Sequence, residues 1–460
     1  MINDLAEALF AIPAKDLHDM LADACSCAVL ILLFRLLAAS YPLANGPDLG
    51  DKLLRNALEW TDSAPLDAKL FYAMAGDKCA SHFLEAVIEC GLFTSVLPLI
   101  EASLMTAVHE YVKDDAGNFV VQSVMKRLSY ELEQRNLTMI EELTDATSAK
   151  TSKKKKKSKH TTEQEEQDST ANASSDEQIS TKSIYKVSKK LLEACLEPEL
   201  FSELVQYKGG VALWMITLAR HVQEYLELRC ITISSTSEDE GVENWRNKVC
   251  IPMISYWTGV PTGTGSQINT YLTTKFMATK VEPDSDGKDG KDSVAAPSKP
   301  TAHNGKNTKS NYIPMDPAKI ILARQLGALL SLKPNAKIAV LGADTPALAA
   351  NVSLPLEKIV SAVAGLPLDA MQVVATSGQL SRVVLDPLIK YHSQSSHFQS
   401  KFMKTFTSLA ATLAGHFVGQ HIFRQVYTTH IDICICAHTY VYTRLCIFTA
   451  LCIHACVQYS

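Results

Sequence analysis

The chain has 460 residues, 47% of them hydrophobic, 20% charged and 7% aromatic, enough for two to four ordinary domains or one extended repeat array. That balance excludes wholesale disorder, a collagen-like chain and a disulfide mini-protein. The formal net charge of -5 excludes a bulk polycation, yet residues 1–143 carry 10 basic and 21 acidic side chains whereas residues 312–460 carry 11 and 6, so a polyanion would be steered toward the C-terminal half.

From the N-terminus, residues 24–39 form an apolar run interrupted by Arg35. A membrane span needs roughly 20 mostly uncharged residues, so this run reads as a buried helix. No charged n-region followed by an h-region and cleavage site opens the chain, which points to a reducing compartment, cytosol or nucleus. Most of the twelve cysteines then read as free thiols in apolar helical text. LDAKLFYAM, SHFLEAVIECGLF, VLPLIEASLMTAVHEYV and NFVVQSVMKRLSYEL place apolar residues at offsets of three and four, the helical period.

Residues 144–182 run from a lysine block into acidic, Ser/Thr-rich text, and residues 281–311 are rich in Asp, Gly, Lys and Ser. Both lack the large apolar residues that offset ordering entropy, and both are expected to be disordered. They divide the chain into helical parts at 1–143, 183–280 and 312–429, followed by a Cys-rich tail, 430–460, expected to lie outside the array. SIYKVSKKLLEACL, VALWMITLARHVQEYLELR, AKIILARQLGALLSL, LEKIVSAVAGL and KFMKTFTSLAATLAGHF continue the helical period, and only KIAVLGA hints at a strand. Short helices of about three turns on short loops predict an all-α solenoid or bundle.

Two repeats are legible. DKCASHFLEAVIE and DDAGNFVVQSVMK align without gaps, Ser81 falling 37 residues before Asn118; Ser381–Leu385 and Gln420–Arg424 form a second pair with an offset of 39. In each, a polar residue is followed by a planar one and then two residues of the core. On a helix, positions i, i+1 and i+4 share one surface while i+2 and i+3 point the other way. Asn118, Phe119 and Gln122 would therefore line one face, with Val120 and Val121 in the core.

These motifs resemble the Pumilio repeat, a three-helix unit whose second helix presents an edge-reading residue, a stacking residue, two aliphatics and a second edge reader. The text of SHFLEAVIE, ATSGQLSRVVLD and VGQHIFR is most similar to the divergent Pumilio-like family of nucleolar protein nine, binders of pre-ribosomal RNA. The resemblance implies an all-α Pumilio-like helical-repeat solenoid, an armadillo-like superhelix interrupted by the two insertions. It implies stacking on bases by His82, Phe119, Arg382 and His421, and edge reading by Ser81 with Glu85, Asn118 with Gln122, Ser381 and Gln420. A hydroxyl with a carboxylate suits the two donors of guanine, and paired amides suit uracil. At Ser381 the fifth place is Leu385 and the acid comes one residue later, at Asp386; at Gln420 it is Arg424, better suited to phosphate. The implied partners are single-stranded pre-ribosomal RNA and proteins of the pre-ribosomal particle, in the nucleolus, for a monomeric protein without membrane association.

Lys153, Lys154, Lys155, Lys156 and Lys157 read as a nuclear-import signal for an import receptor. The run GVPTGTGS at residues 259–266 lacks the lysine and preceding strand of a phosphate loop and reads as a plain loop. Cys25 with Cys27, and the Cys/His text near 434–438 and 452–456, lack the paired spacing of zinc sites. No nucleophile elbow, HExxH or paired acids appear, so neither an enzyme nor a cofactor is expected. The competing reading is a HEAT- or armadillo-like scaffold for proteins, favoured by the acidic N-terminal part.

Overall fold

The computed structural model describes residues 2–44, 49–61, 66–156, 179–233, 243–278, 316–343, 345 and 353–434. All regular elements among them are helices. Seven helices pack side by side in chain order as an inner row: α1 (Ala24–Ala44), α2 (Ala80–Cys90), α3 (Gly117–Lys156), α4 (Gly209–Ile233), α5 (Pro317–Leu330), α6 and α7 (Phe417–Cys434). The turns Gly378–Leu380, Ser381–Leu385 and Asp386–His392 follow one another directly as α6, and the middle one is a π turn. Helices such as Ala68–Gly76, Val108–Lys113, Trp245–Thr258, Leu354–Ala364 and Met403–Gly415 cover the other side of the row.

The inner row is held by adjacent buried side chains. Phe83 and Leu84, Val120 and Val121, Val211 and Ala212, and Val384 and Leu385 are at most 1% exposed, and all belong to one core running from Leu9 to Val426. Full burial of such a large apolar side chain contributes about 1.5–3 kcal/mol. Each repeat can complete this burial only against its neighbours, the logic of a solenoid.

The repeated text recurs as repeated local structure. Asp77 Oδ1 accepts from the Cys79 and Ala80 amides, and Asp114 Oδ1 accepts from Ala116 and Gly117, at 2.7–2.8 Å, so each carboxylate satisfies amides at a helix start that have no intrahelical partner. A Cβ on Gly117 would lie 2.8 Å from the Tyr111 carbonyl oxygen, and one on Gly419 would lie 2.7 Å from that of Leu413. Glycine is required at both places because the helix start presses on the backbone six residues earlier.

Several expectations change. KIAVLGA is no strand: Ala336–Leu341 is a short helix whose Asn335 cap accepts from the Lys337 amide, and among the described residues no strand is present to pair with it. Helix α3 does not stop at 143 but runs to Lys156, since no proline or glycine interrupts it after Gly117 and Thr144, Thr147 and Ser148 return their hydroxyls to carbonyls one turn back. At 40 and 25 residues, α3 and α4 are well beyond three turns. The second helical part starts at Thr181, capped by Ser180, and α7 continues to Cys434. The remaining linker and tail residues, 157–178, 279–315 and 435–460, lie outside the described residues. Residues 24–39 form only a half-buried helix: Cys27, Leu30, Phe34 and Leu37 are buried while Val29, Leu32 and Leu36 are exposed. No single helix among the described residues is long and apolar enough to cross a membrane.

The GVPTGTGS run is a tight helix–helix turn. Gly259 caps Trp245–Thr258 at φ 75°, the left-handed region open to glycine, and Thr264 forms a capping box with Gln267 that starts the next helix. Among the described residues no group of His, Cys, Asp or Glu is arranged to hold a metal.

A buried polar network ties α4, the helix Trp245–Thr258 and the end of α5. Arg246, 1% exposed, pairs both terminal nitrogens with Glu227 and donates Nε to the Leu332 carbonyl at 2.5 Å. Gln223 accepts from the Trp245 amide at 2.7 Å and donates to Glu227. Removing one partner of such a pair strands a buried charge, so Arg246→Ala is expected to lose about 3–5 kcal/mol, read as an earlier midpoint in urea, while the double replacement Arg246→Met with Glu227→Leu loses far less.

His392 is buried and donates Nε2–H to the Leu330 carbonyl at 2.7 Å; its burial pushes its pKa down to about 4. The unfolded chain therefore takes up a proton, as pH falls from about 6.5 to 4, that the folded chain refuses. Stability present above that window is lost within it, by about 3 kcal/mol for this group. Thermal midpoints measured from pH 7 to 4 should fall less steeply in His392→Gln than in the wild type.

Candidate nucleic-acid interface

The outward positions of α2 and α3 carry the first set of candidate residues. His82 is exposed, and its Nδ1 lies 2.8 Å from Glu85 Oε1. Partial burial pushes the Glu85 carboxyl upward, and the bond to His82 opposes that shift. Phe119 is 49% exposed and immediately precedes two buried valines, an unusual place for a phenylalanine that only needs a core. Gln122 Nε2 donates to Asn118 Oδ1 at 3.0 Å.

Not all the expected positions face outward. Ser81, Asn118 and Ser381 are 2%, 5% and 0% exposed, because the first position lies where the helix start meets the preceding loop. Asn118 Nδ2 donates to the Asp114 and Asp115 carbonyls at 3.0 and 2.7 Å, which ties the side chain down. It positions Gln122 rather than standing free, and Gln122 is the more accessible amide of the pair.

The second set lies on α6 and α7. Ser381, Arg382, Gln420, His421 and Arg424 line one hollow of about 230 Å³ with Gly378, Phe417 and Val418. Arg382, His421 and Arg424 are exposed there, whereas Gln420 turns its amide to the Ala414 carbonyl. The hollow brings together residues 39 apart in sequence, while α4 and α5 stand between this set and the first.

Asp386 is the residue that reading a five-residue motif leaves out. Pro387 has no amide hydrogen to return to the Val383 carbonyl, and α6 widens there into a π turn in which the Asp386 amide reaches Ser381. The extra residue is accommodated within the turn. Val384 and Leu385 become the buried pair, and Asp386 arrives at the outward fifth place, 3.6 Å from His421 Nε2. Burial pushes its carboxyl upward, against the pull of His421. The only sequence signals were the acid displaced by one residue and the proline after it.

Charge follows the same division. Near the first set, Glu89 is held by Lys126 at 2.7 Å and lies 3.8 Å from Arg35, so its charge is paired within the inner row. Around the second set Arg382, His421 and Arg424 line the hollow, and Asp386 lies 3.6 Å from His421.

Comparison with known proteins agrees with this architecture. Residues 1–143 match the sequence model of the NOP9-like PUF repeat domain, the family whose features are read above at residues 80–85 and 117–122. The fold is similar to that in the structure of APUM23-GGAAUUGACGG, with a TM-score of 0.53 and 11% identity over 92% of this chain. The alignment takes in 56% of that chain, so this protein spans little more than half the length of its structural relative. The structure of APUM23-GGAGUUGACGG aligns at 12% identity, a TM-score of 0.48 and the same coverage. No curated protein matches the chain. The fold is therefore an all-α, Pumilio-like repeat solenoid.

Proposed function

We propose that this chain binds single-stranded RNA along the inner row of helices, by occupancy rather than catalysis. The observation that carries the reading is Phe119: a half-exposed ring on α3, flanked by the Gln122 amide and backed by buried Val120 and Val121. Unpaired bases are recognised in this way, by stacking on planar side chains and hydrogen bonding at their edges. The match of residues 1–143 to a PUF repeat domain and the oligonucleotide in the APUM23 structure support it. The NOP9-like character of that match further supports precursor ribosomal RNA as the target, in the nucleolus during small-subunit assembly, with pre-ribosomal proteins as neighbours.

A protein scaffold of the HEAT or armadillo kind would use the same solenoid, and the acidic N-terminal part favours it. The two readings separate on the inner face, where an RNA binder must present planar and basic groups and a scaffold need not. Phe119→Ala with Gln122→Ala, sparing the buried Asn118, is expected to weaken binding to unpaired RNA by about 5- to 150-fold, the loss of one stacked base, with an unchanged thermal midpoint. Full affinity of that variant in a fixed-salt titration would remove the reading.

The lysine block completes the proposal. Lys153–Lys156 stand at the C-terminal end of α3, and Lys157 follows in the sequence. Replacing Lys153–Lys157 with Gln should shift the protein from nucleus to cytoplasm in cell imaging, and an unchanged nuclear signal would show that import does not use this block.

A further inference from the structure

Between the two candidate sets, the inner row changes character. On α4 the buried pair is Val211 and Ala212, which puts Gly209 and Gly210 at the first and second positions and Leu213 at the fifth. No ring, guanidinium or hydrogen-bonding side chain is offered there. Side chains of the neighbouring helices lean over both glycines: a Cβ on Gly210 would meet the Gln122 amide, and one on Gly209 the Ile321 side chain. Gln122 and Ile321 thus take up the space beside α4 in which a reading side chain would stand.

Helix α5 is similar. Its buried pair is Leu322 and Ala323, so Ile320 and Ile321 take the first two places and Arg324 the fifth. Ile321, 38% exposed, offers an apolar surface without a donor or acceptor, and Arg324 offers a phosphate contact. On α6 the reading chemistry returns. Ser381 Oγ is buried beside the hollow with no hydrogen-bond partner among the described residues, and the Asp386 carboxylate is held by His421 and Gln425.

From this juxtaposition we infer that a bound strand is read in two short blocks, one on α2 and α3 and one on α6 and α7, separated by two nucleotides whose bases are not read. The inference rests on the RNA-binding reading above and adds its grammar. Repeats of this kind take one base each. Helices α4 and α5 would carry two nucleotides by backbone and apolar contact, while α2 and α3 on one side and α6 and α7 on the other discriminate. In the second block, the Asp386 carboxylate, oriented by His421, suits a donor on the pairing edge of a base, with Arg382 and His421 as the planar groups of the set.

The test is selection of the full chain against a random single-stranded RNA pool, followed by titration of the selected RNA with abasic sites placed one at a time. Two enriched motifs at a constant two-nucleotide interval are expected. Abasic sites in the interval should change Kd less than about twofold, and those in either block by roughly 5-fold or more. Asp386→Asn should relax base preference at one position of one block and leave the other block unchanged. One continuous motif, a variable interval, or tight binding without any enriched motif would overturn the two-block inference while leaving RNA binding in place. Absence of binding to the whole pool would overturn the RNA reading itself, and this inference with it.

Discussion

What this protein presents on its inner face follows from the burial of two adjacent residues on each of helices α2 to α6. A helix whose third and fourth motif positions are sealed against its neighbours has its second and fifth positions fixed, by geometry alone, on the opposite side. Phe83 with Leu84 and Val120 with Val121 set this orientation for α2 and α3, and Val384 with Leu385 set it for α6. The close contacts at Gly117 and Gly419 then fix where along the axis each helix begins, so the outward residues of successive repeats stay in step. Stability and display are in this sense one property. A helix that lost its core pair would lose the register of its reading positions as well.

The acidity of the N-terminal part is compatible with a polyanionic ligand once its partners are seen. Glu89 is held by Lys126 and faces Arg35, Asp115 is bonded by Lys208 at 2.8 Å, and Glu131 lies 3.1 Å from Arg127. Exposed pairs of this kind contribute little stability, at most about 1 kcal/mol each. Their effect is on the field: carboxylates bound within the array repel phosphates less than free ones at short range. The C-terminal set, by contrast, leaves Arg382 and Arg424 exposed around one hollow. Charge thus steers a polyanion toward the C-terminal end.

How much of this could be read from the sequence depended on whether a feature is local. The 37-residue repeat was legible because Asp77 and Asp114 cap successive helix starts and Gly117 answers a steric demand that any sequence must meet with a small residue. The burial of the aliphatic pairs was legible for the same reason. The end of α3 was not, because a polar, lysine-rich composition resembles a linker even where nothing breaks the helix. Helices α4 and α5 could be read as helical text but not as motif-bearing repeats, since Gly209, Gly210, Ile320 and Ile321 carry none of the motif's polar or planar chemistry and only packing reveals which positions they hold. The burial of Ser81, Asn118 and Ser381 was hidden too, because helical periodicity does not record where the preceding loop folds back.

The π turn in α6 shows how one backbone feature can reassign a functional residue. Pro387 cannot donate a hydrogen to the Val383 carbonyl, so that oxygen is released from the helical ladder and turns toward α5. There it meets Gly327, at a place where a Cβ on α5 would overlap it; the glycine on one helix and the proline on the next are two halves of a single contact. Because the carbonyl is accommodated across the interface, the widened turn can persist inside a packed array, where an isolated π turn would otherwise be costly. The widened turn in turn moves the outward fifth place from Leu385 to Asp386 and brings a carboxylate within 3.6 Å of His421 on the next helix. A leucine in that place would have nothing to offer a base edge, while a carboxylate has two acceptor oxygens. The chemistry of the second set therefore depends on Gly327, a residue on another helix that touches neither the hollow nor any of its charged groups.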